Sequence, residues 1–488
     1  MKKLICLLLA MVMLVTVFVA CDNKTPGGNE DESTTPDNGG DTNGDSEGSE
    51  EVTDAAPEVE IVVQGTPGHA EEFRMIVRAN RYDYLYWPTN QTTDTVQRVV
   101  FERNSQIEEE FNVEFAIEEV NSTASDFKTA VETISAANNY DVVCWDYWWA
   151  LEQTDGLFMD LSECDYINPE DKWWYQGWNK NITINNKQFS IVGDAALEVL
   201  QNLEVVFFNK DIAAAQGLDL YTTVEDGAWD IEEMMRINVQ VSQNLDDDDT
   251  TNDYYGALYD VHSSQAALYS AGMKLTIIGE DGSISINQSQ TGREEIIEAV
   301  DAVTALRHSR EVKYSDTTAR VTDYSIFTDQ RALFYATCLL IGKDMKALGL
   351  PFEYGVLPAP KLNDEAEYIS TTYGASVFSI PTKTADVERA QVVLNAMNAY
   401  SHIDVDEGLV YTFYELVIKG RVADEPADAK MIDLARNALY VDFAFINDIS
   451  LNSSCCGAMH GNTSVSGSLS TAIRAAKTKL TSLMAPYT

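Results

Sequence analysis

Short apolar runs alternate with helix-spaced apolar faces along the first half of this chain. Phe73 to Val77 is a run of strand length, and Val96, Val99, Val100, Ile107 and Phe111 then fall along one side of a helix. Val113 to Ile117 alternates apolar and polar like a strand. Phe127, Ala130, Val131 and Ile134 return to the i, i+3, i+4, i+7 spacing of a helix, and Asp141 to Cys144 reads as a short buried strand. This strand–helix–strand–helix order predicts a mostly parallel sheet, because parallel neighbours require a crossover.

The second half continues the mixture. Asp230 and Glu233 form a capping pair ahead of a helix carrying Met234, Met235 and Ile237. Ile296, Ile297, Val300, Val303 and Leu306 line another amphipathic helix. Leu333 to Leu340, Tyr354 to Leu357 and Ser376 to Ile380 read as strands, and Asp386 opens a helix with Val387, Ala390, Val393, Leu394 and Met397. No internal repeat is visible. The pattern predicts the α/β class, with helices on both faces of sheets. Function must then be argued from sites.

The N-terminus has a different character. Lys2 and Lys3 precede an uncharged apolar run from Leu4 to Ala20, the pattern of an export signal, so residues 1–20 are set aside from the fold. The junction Phe18-Val19-Ala20-Cys21 resembles the lipobox of bacterial lipoproteins, with Phe18 in place of the usual Leu. That resemblance implies a lipid on Cys21 and a place on the extracellular face of the cell membrane. Residues 21–57 hold eleven acids against the single Lys24 and almost no large apolar side chain. Such a stretch cannot bury enough surface to offset its ordering entropy and is expected to be a disordered linker. The roughly 430 residues that follow exceed one ordinary core, so two lobes are expected.

Charge narrows the partners. With 78 acidic and 33 basic residues the formal charge is −45, which argues against nucleic acid and against adhesion to anionic lipid. Seven cysteines are too few for a disulfide scaffold and fit no zinc spacing. The adjacent Cys455 and Cys456 are read as two ordinary thiols in preference to a vicinal disulfide.

Several segments in order resemble the extracellular solute-binding proteins of ABC importers, in the group headed by sugar binders. They are Asp141-Val142-Val143-Cys144-Trp145, Gly156-Leu157-Phe158-Met159-Asp160-Leu161, Phe207-Phe208-Asn209-Lys210-Asp211, Val224-Glu225-Asp226-Gly227-Ala228-Trp229-Asp230, Gly355-Val356-Leu357-Pro358-Ala359-Pro360 and Ser379-Ile380-Pro381. The resemblance implies a two-lobed periplasmic-binding-protein-like fold, with a hinge and a ligand cleft between the lobes. It also implies ABC permease subunits as partners, a small solute as ligand, a monomer, and no cofactor. By position, crossings near Ile191 to Asn202 and Ala332 to Leu340 place 58–195 and about 336–395 in one lobe. About 196–335 and 396–488 form the other.

The candidate site begins at Trp145, Asp146, Tyr147, Trp148 and Trp149, directly after an expected buried strand. Ligands of parallel α/β sheets sit beyond the carboxyl ends of strands. Aromatic faces pack on the C–H face of a pyranose while carboxylates bond its hydroxyls, so Trp145, Asp146, Trp148 and Trp149 together suit a sugar. Tyr84 and Trp87, in the loop after the first strand, Asp194 near the first crossing, and Tyr373 are nominated on the same grounds. Trp173, Trp174 and Trp178 form a second cluster that suits a buried face equally well. Trp229, opening a helix, is read as packing.

Asp246 to Asp249, with Asn252, Asp253 and Gly256, lacks the spacing of a helix-loop-helix calcium site and is read as a solvated loop. No Gly-x-Ser-x-Gly elbow, His-Glu-x-x-His helix or Walker loop occurs, and the five histidines show no ligand spacing. An enzyme is therefore not expected, although a hydrolase using a carboxylate pair stays open. So do a binder of a non-sugar solute such as a peptide and a tethered adhesin.

Overall fold

A computed structural model describes residues 71–78, 84–120, 129, 131, 140–147, 156–246, 252–315, 325–372, 374–402, 408–413, 426–447 and 449–485. The expected export segment, Cys21 and the acidic linker lie outside these residues. So does the expected helix from Phe127 to Ile134, apart from helical Thr129 and Val131.

The first sheet contains β1 (Glu71–Arg78), β2 (Val113–Val120), β3 (Val142–Asp146) and β11 (Ser376–Ser379), in the order β11-β3-β1-β2. β1 runs parallel to both β2 and β3, and β11 pairs antiparallel with β3. Helix α1 (Thr95–Phe111) covers β2, capped by Asp94, whose carboxylate accepts from the amides of Val96 and Gln97. It buries Val99, Val100, Ile107 and Phe111, the face expected from their spacing, together with Arg103. The Arg103 guanidinium donates to Leu85 O, Asn104 Oδ1 and Ser401 Oγ, and burial pulls its pKa down to about 9. Helix α6 (Val387–Ala399) packs on α1, and its Arg389 reaches Asp141 at 2.8 Å and Glu71 at 2.5 Å.

The second sheet is built from β4 (Glu204–Asn209), β5 (Tyr255–Tyr259), β8 (Val312–Tyr314), β9 (Ala332–Cys338) and β10 (Tyr354–Leu357), in the order β10-β4-β9-β5-β8. β5 is parallel to β8 and β9, while β4 is antiparallel to β9 and β10. Around it lie α3 (Ile231–Val241), α4 (Val261–Ser270), α5 (Gln290–Arg307) and α7 (Pro426–Asn437). A separate hairpin joins β6 (Thr276–Ile278) to β7 (Ile284–Ile286). The C-terminal helices α8 (Phe443–Ile446), α9 (Ser450–His460) and α10 (Ser466–Met484) complete this half, with α9 packed on α5 and α10. Asp428 fastens α7 to β10: its carboxylate accepts from Lys210 Nζ at 2.9 Å, Tyr221 OH at 2.6 Å and Val356 N at 2.8 Å.

Two expected boundaries are corrected. Leu339 opens a short helix, Leu339–Ala347, so the strand expected from Leu333 to Leu340 ends at Cys338. All of β9, and β10 after it, pair within the second sheet, so the chain returns to the first sheet at β11 and not near 336. It also stays there longer, because α6 and Leu409–Tyr411 both pack on α1. A strand buried on both faces reads as apolar at every position, and nothing in that pattern says which sheet takes it.

Candidate functional site

β1 and β3 pair in parallel register with Val77 opposite Cys144, so Arg78, Trp145 and Asp146 emerge together at the carboxyl edge of the first sheet. Arg78 Nη1 lies 2.6 Å from Asp146 Oδ2, and the two side chains stay 21% and 10% exposed. On the other side, Asp146 stands opposite Ser376, the first residue of β11. Ser376 Oγ donates to the carboxylate of Glu198, which lies in the short helix Glu198–Gln201 and is buried. Arg78, Asp146, Ser376 and Glu198 thus form one polar row from four separate segments. A guanidinium that only donates, carboxylates that only accept and a hydroxyl that does both match the two-way hydrogen bonding of a polyol.

The two described aromatic residues of the cluster, Trp145 and Tyr147, are both buried. Trp145 is almost wholly buried, packs on Phe158 at 4.9 Å between ring centres, and donates its indole N–H to Ser379 Oγ at 3.2 Å. Tyr147, the residue after β3, meets Trp178 edge-on at 5.3 Å and Phe445 at 6.3 Å. Phe445 in turn meets Tyr269, whose hydroxyl donates to Asn452 Oδ1 at 2.7 Å. Tyr147 therefore links the edge of the first sheet to α4, α8 and α9 beside the second. Trp148, Trp149 and Tyr373 lie outside the described residues.

Other nominated residues lie apart from this row. Tyr84 is buried in the core beside α1, and the half-buried Trp87 lines a groove of about 420 Å³ with Phe101, Asn104 and Glu108. Asp194 is buried where the chain leaves the first sheet, hydrogen-bonded to His402 Nδ1 and 3.6 Å from Arg436. It lines a pocket of about 400 Å³ that includes Trp174, Tyr175 and Trp178. Burial, and then the charge of Asp194, pushes the Tyr175 phenol up. The preceding Gly193 is held by space: a Cβ there would meet Asn398 Oδ1 at 2.3 Å and the Trp174 ring at 2.5 Å. Trp229 is fully buried and donates to Pro358 O at 2.9 Å.

Arg78, Ser376 and Glu198 were not nominated from the sequence. Arg78 carried a usable signal, because it is the first residue after the apolar run Phe73 to Val77. Ser376 opens an expected strand and Glu198 lies inside the first expected crossing, but their meeting depends on contacts 178 residues apart.

No cluster of His, Cys, Asp or Glu suited to a metal ion occurs among the described residues. Within the acidic loop, residues 247–251 lie outside them, and Asp253 is occupied in accepting from Leu245 N at 2.9 Å. Among the described residues, Cys144, Cys164, Cys338, Cys455 and Cys456 form no disulfide. No described helix is long and apolar enough to cross a membrane.

The two mixed α/β sheets with their flanking helices match the two-lobed periplasmic-binding-protein fold of several solved structures. A sugar-binding protein MalE of Xanthomonas citri superposes with a TM-score of 0.57 at 12% identity, covering 85% of this chain and 97% of that one. An ABC substrate-binding protein of Listeria monocytogenes, in complex with cycloalternan, gives 0.55 at 14% identity, covering 84% and 99%. The cyclic alpha-maltosyl-1,6-maltose binding protein of Arthrobacter globiformis gives 0.54 at 17% identity, covering 85% and 99%. At such identities the likeness establishes the fold alone. No protein-family model matches the chain, and no curated protein matches it in sequence.

Proposed function

We propose that this chain is an extracellular solute-binding protein that captures a mono- or oligosaccharide for an ABC importer. It binds without catalysis, as a monomer held to the outer face of the membrane by a lipid on Cys21. The observation that carries the reading is the polar row Arg78–Asp146 and Ser376–Glu198 at the carboxyl edge of a parallel sheet, in a fold whose solved examples include sugar-binding proteins.

In this reading the row supplies directional hydrogen bonds to sugar hydroxyls. Trp148 and Trp149, which follow Asp146 directly in sequence, supply the apolar faces that a pyranose ring packs against. Binding then draws the lobes together, because a ligand favours the closed state by as much as it binds that state better. The permease partner reads the closed form.

A thermal-shift screen of mono- and oligosaccharides, with amino acids and peptides as controls, tests the proposal. A ligand at 100-fold over its Kd adds about 2.7 kcal/mol of stability by mass action. A shift confined to saccharides, with intact sugar recovered afterwards, is the expected outcome. Shifts confined to peptides, or recovery of cleaved sugar, would overturn it.

A further inference from the structure

We propose that the groove between helix α2 (Gln176–Ile182) and the β6–β7 hairpin is a second binding site, for a small neutral polyhydroxyl molecule. The groove encloses about 690 Å³, within the range of small-molecule sites. One wall carries Gln176, Lys180, Thr183 and Gln188, and the other carries Glu280 and the backbone of Gly279. It shares none of the row Arg78, Asp146, Ser376 and Glu198, so the proposal stands independently of the sugar reading at the sheet edge.

Gln188 is the observation that points to a ligand. It is only 4% exposed, it lines the groove, and its side-chain Nε2 has no hydrogen-bond partner among the described residues. The main chain of Gln188 is held at both ends, so only rotation of its side chain can bring Nε2 to a partner. Its N–H donates to Asp160 Oδ1 at 2.9 Å and its carbonyl accepts from Leu161 N at 2.6 Å. Asn179, on the same wall, shows the usual outcome for a buried amide: it donates to Val192 O at 2.9 Å and accepts from Val192 N at 2.8 Å. A bound acceptor would complete Gln188 in the same way.

The walls themselves are locked together. Asn186 Nδ2 donates to Asp281 O at 2.9 Å, and Gly282, at φ +77°, approaches so closely that a Cβ would meet Asn186 Oδ1 at 2.3 Å. The lining sets the ligand class. Side-chain amides donate and accept, and Thr183 Oγ1, which donates to Asn179 O, is left to accept. Among the described residues no aromatic side chain lines the groove, so recognition by them rests on hydroxyls and not on ring stacking. The chain's charge of −45, with Glu170 and Glu280 against Lys180 in the lining, disfavours an anion.

The test is titration of the full chain with D-sorbitol and, separately, with trehalose, followed through the Gln188 side-chain amide signal in nitrogen-15 NMR. The signal is assigned by its absence in Gln188→Leu. A saturable shift with sorbitol alone selects an acyclic polyol, and one with trehalose alone selects a saccharide. Either supports the site. Gln176→Trp, an exposed helix position that fills the groove, should weaken binding at this site roughly tenfold or more, and the titration midpoint of the Gln188 signal should be the same in Asp146→Asn, whose effect is confined to the sheet-edge site. Gln188→Leu, followed by calorimetry, should bind roughly fivefold more weakly for want of one hydrogen bond, without loss of thermal stability. No saturable shift with either probe, unchanged affinity in Gln176→Trp, or a shift abolished by Asp146→Asn would each overturn the second site.

Discussion

Arg78 and Asp146 stand side by side at the carboxyl ends of two adjacent parallel strands, with Nη1 2.6 Å from Oδ2. A charge-assisted bond at a partly exposed position contributes about 1.5–3 kcal/mol, so Asp146→Asn should lower stability by no more than that. Its effect on ligand should be larger. If the row holds a saccharide, Asp146→Asn and Arg78→Ala each weaken saccharide binding by roughly tenfold or more, measured by calorimetric titration. Unchanged affinity in both variants would remove the row from the site.

Trp145 should behave differently from its sequence neighbours. Truncation of a fully packed indole leaves a cavity, so Trp145→Ala should cost about 3–5 kcal/mol in denaturant unfolding. Trp145→Phe keeps the ring and loses the bond to Ser379, and should retain ligand affinity. A Trp145→Phe variant of native stability that no longer binds ligand would show that the indole acts in the cleft.

Asp442 gives a pH signature. Its carboxylate is buried and accepts from Leu275 N at 2.8 Å, Thr276 Oγ1 at 2.8 Å, Ala444 N at 2.7 Å and Tyr440 OH at 2.9 Å. Burial nevertheless outweighs these bonds and holds its pKa above the ordinary carboxylate range. The folded state then binds this proton more tightly than the unfolded chain does. Its contribution to stability is full below the unfolded pKa, falls as pH rises through the folded one, and is level above it. The difference in unfolding free energy between the native chain and Asp442→Asn should follow that course, because other titrating groups cancel. A difference that grows with rising pH would contradict the assignment.

Cys455 and Cys456 sit in successive positions of α9, where burial pushes both thiols up to about 12. At pH 8 only roughly one part in ten thousand is thiolate, the reactive form. Iodoacetamide should leave both unlabelled in the folded protein and should label both after unfolding without reductant, as read by peptide mass. Failure to label the pair in unfolded, unreduced protein would mean that they are bonded.

Local patterns were legible in the sequence wherever one element decides its own outcome. Asp230 and Asp386 cap their helices, as their positions lead one to expect, by accepting from Glu233 N and Arg389 N. Tyr354 to Leu357 is a strand over its expected length. What could not be read was pairing between distant segments. The antiparallel entry of β11 beside β3 and of β10 beside β4, and the bond from Ser376 to Glu198, arise only after folding brings them together. Of the candidate row, Asp146 alone is nominated from the sequence, and Arg78, Ser376 and Glu198 join it through pairing between distant segments. Asp146 closes the buried strand β3, whereas Asp194, equally polar and near a crossing, lies apart from the row and is engaged by His402 and Arg436.

The most direct test of carbohydrate capture between the lobes is small-angle X-ray scattering of the chain with and without a saturating saccharide chosen from the thermal-shift screen. The radius of gyration should fall on saturation, and Asp146→Ala at the same saccharide concentration should show no fall. A saccharide bound at saturation with no change in the radius of gyration would contradict capture by closure.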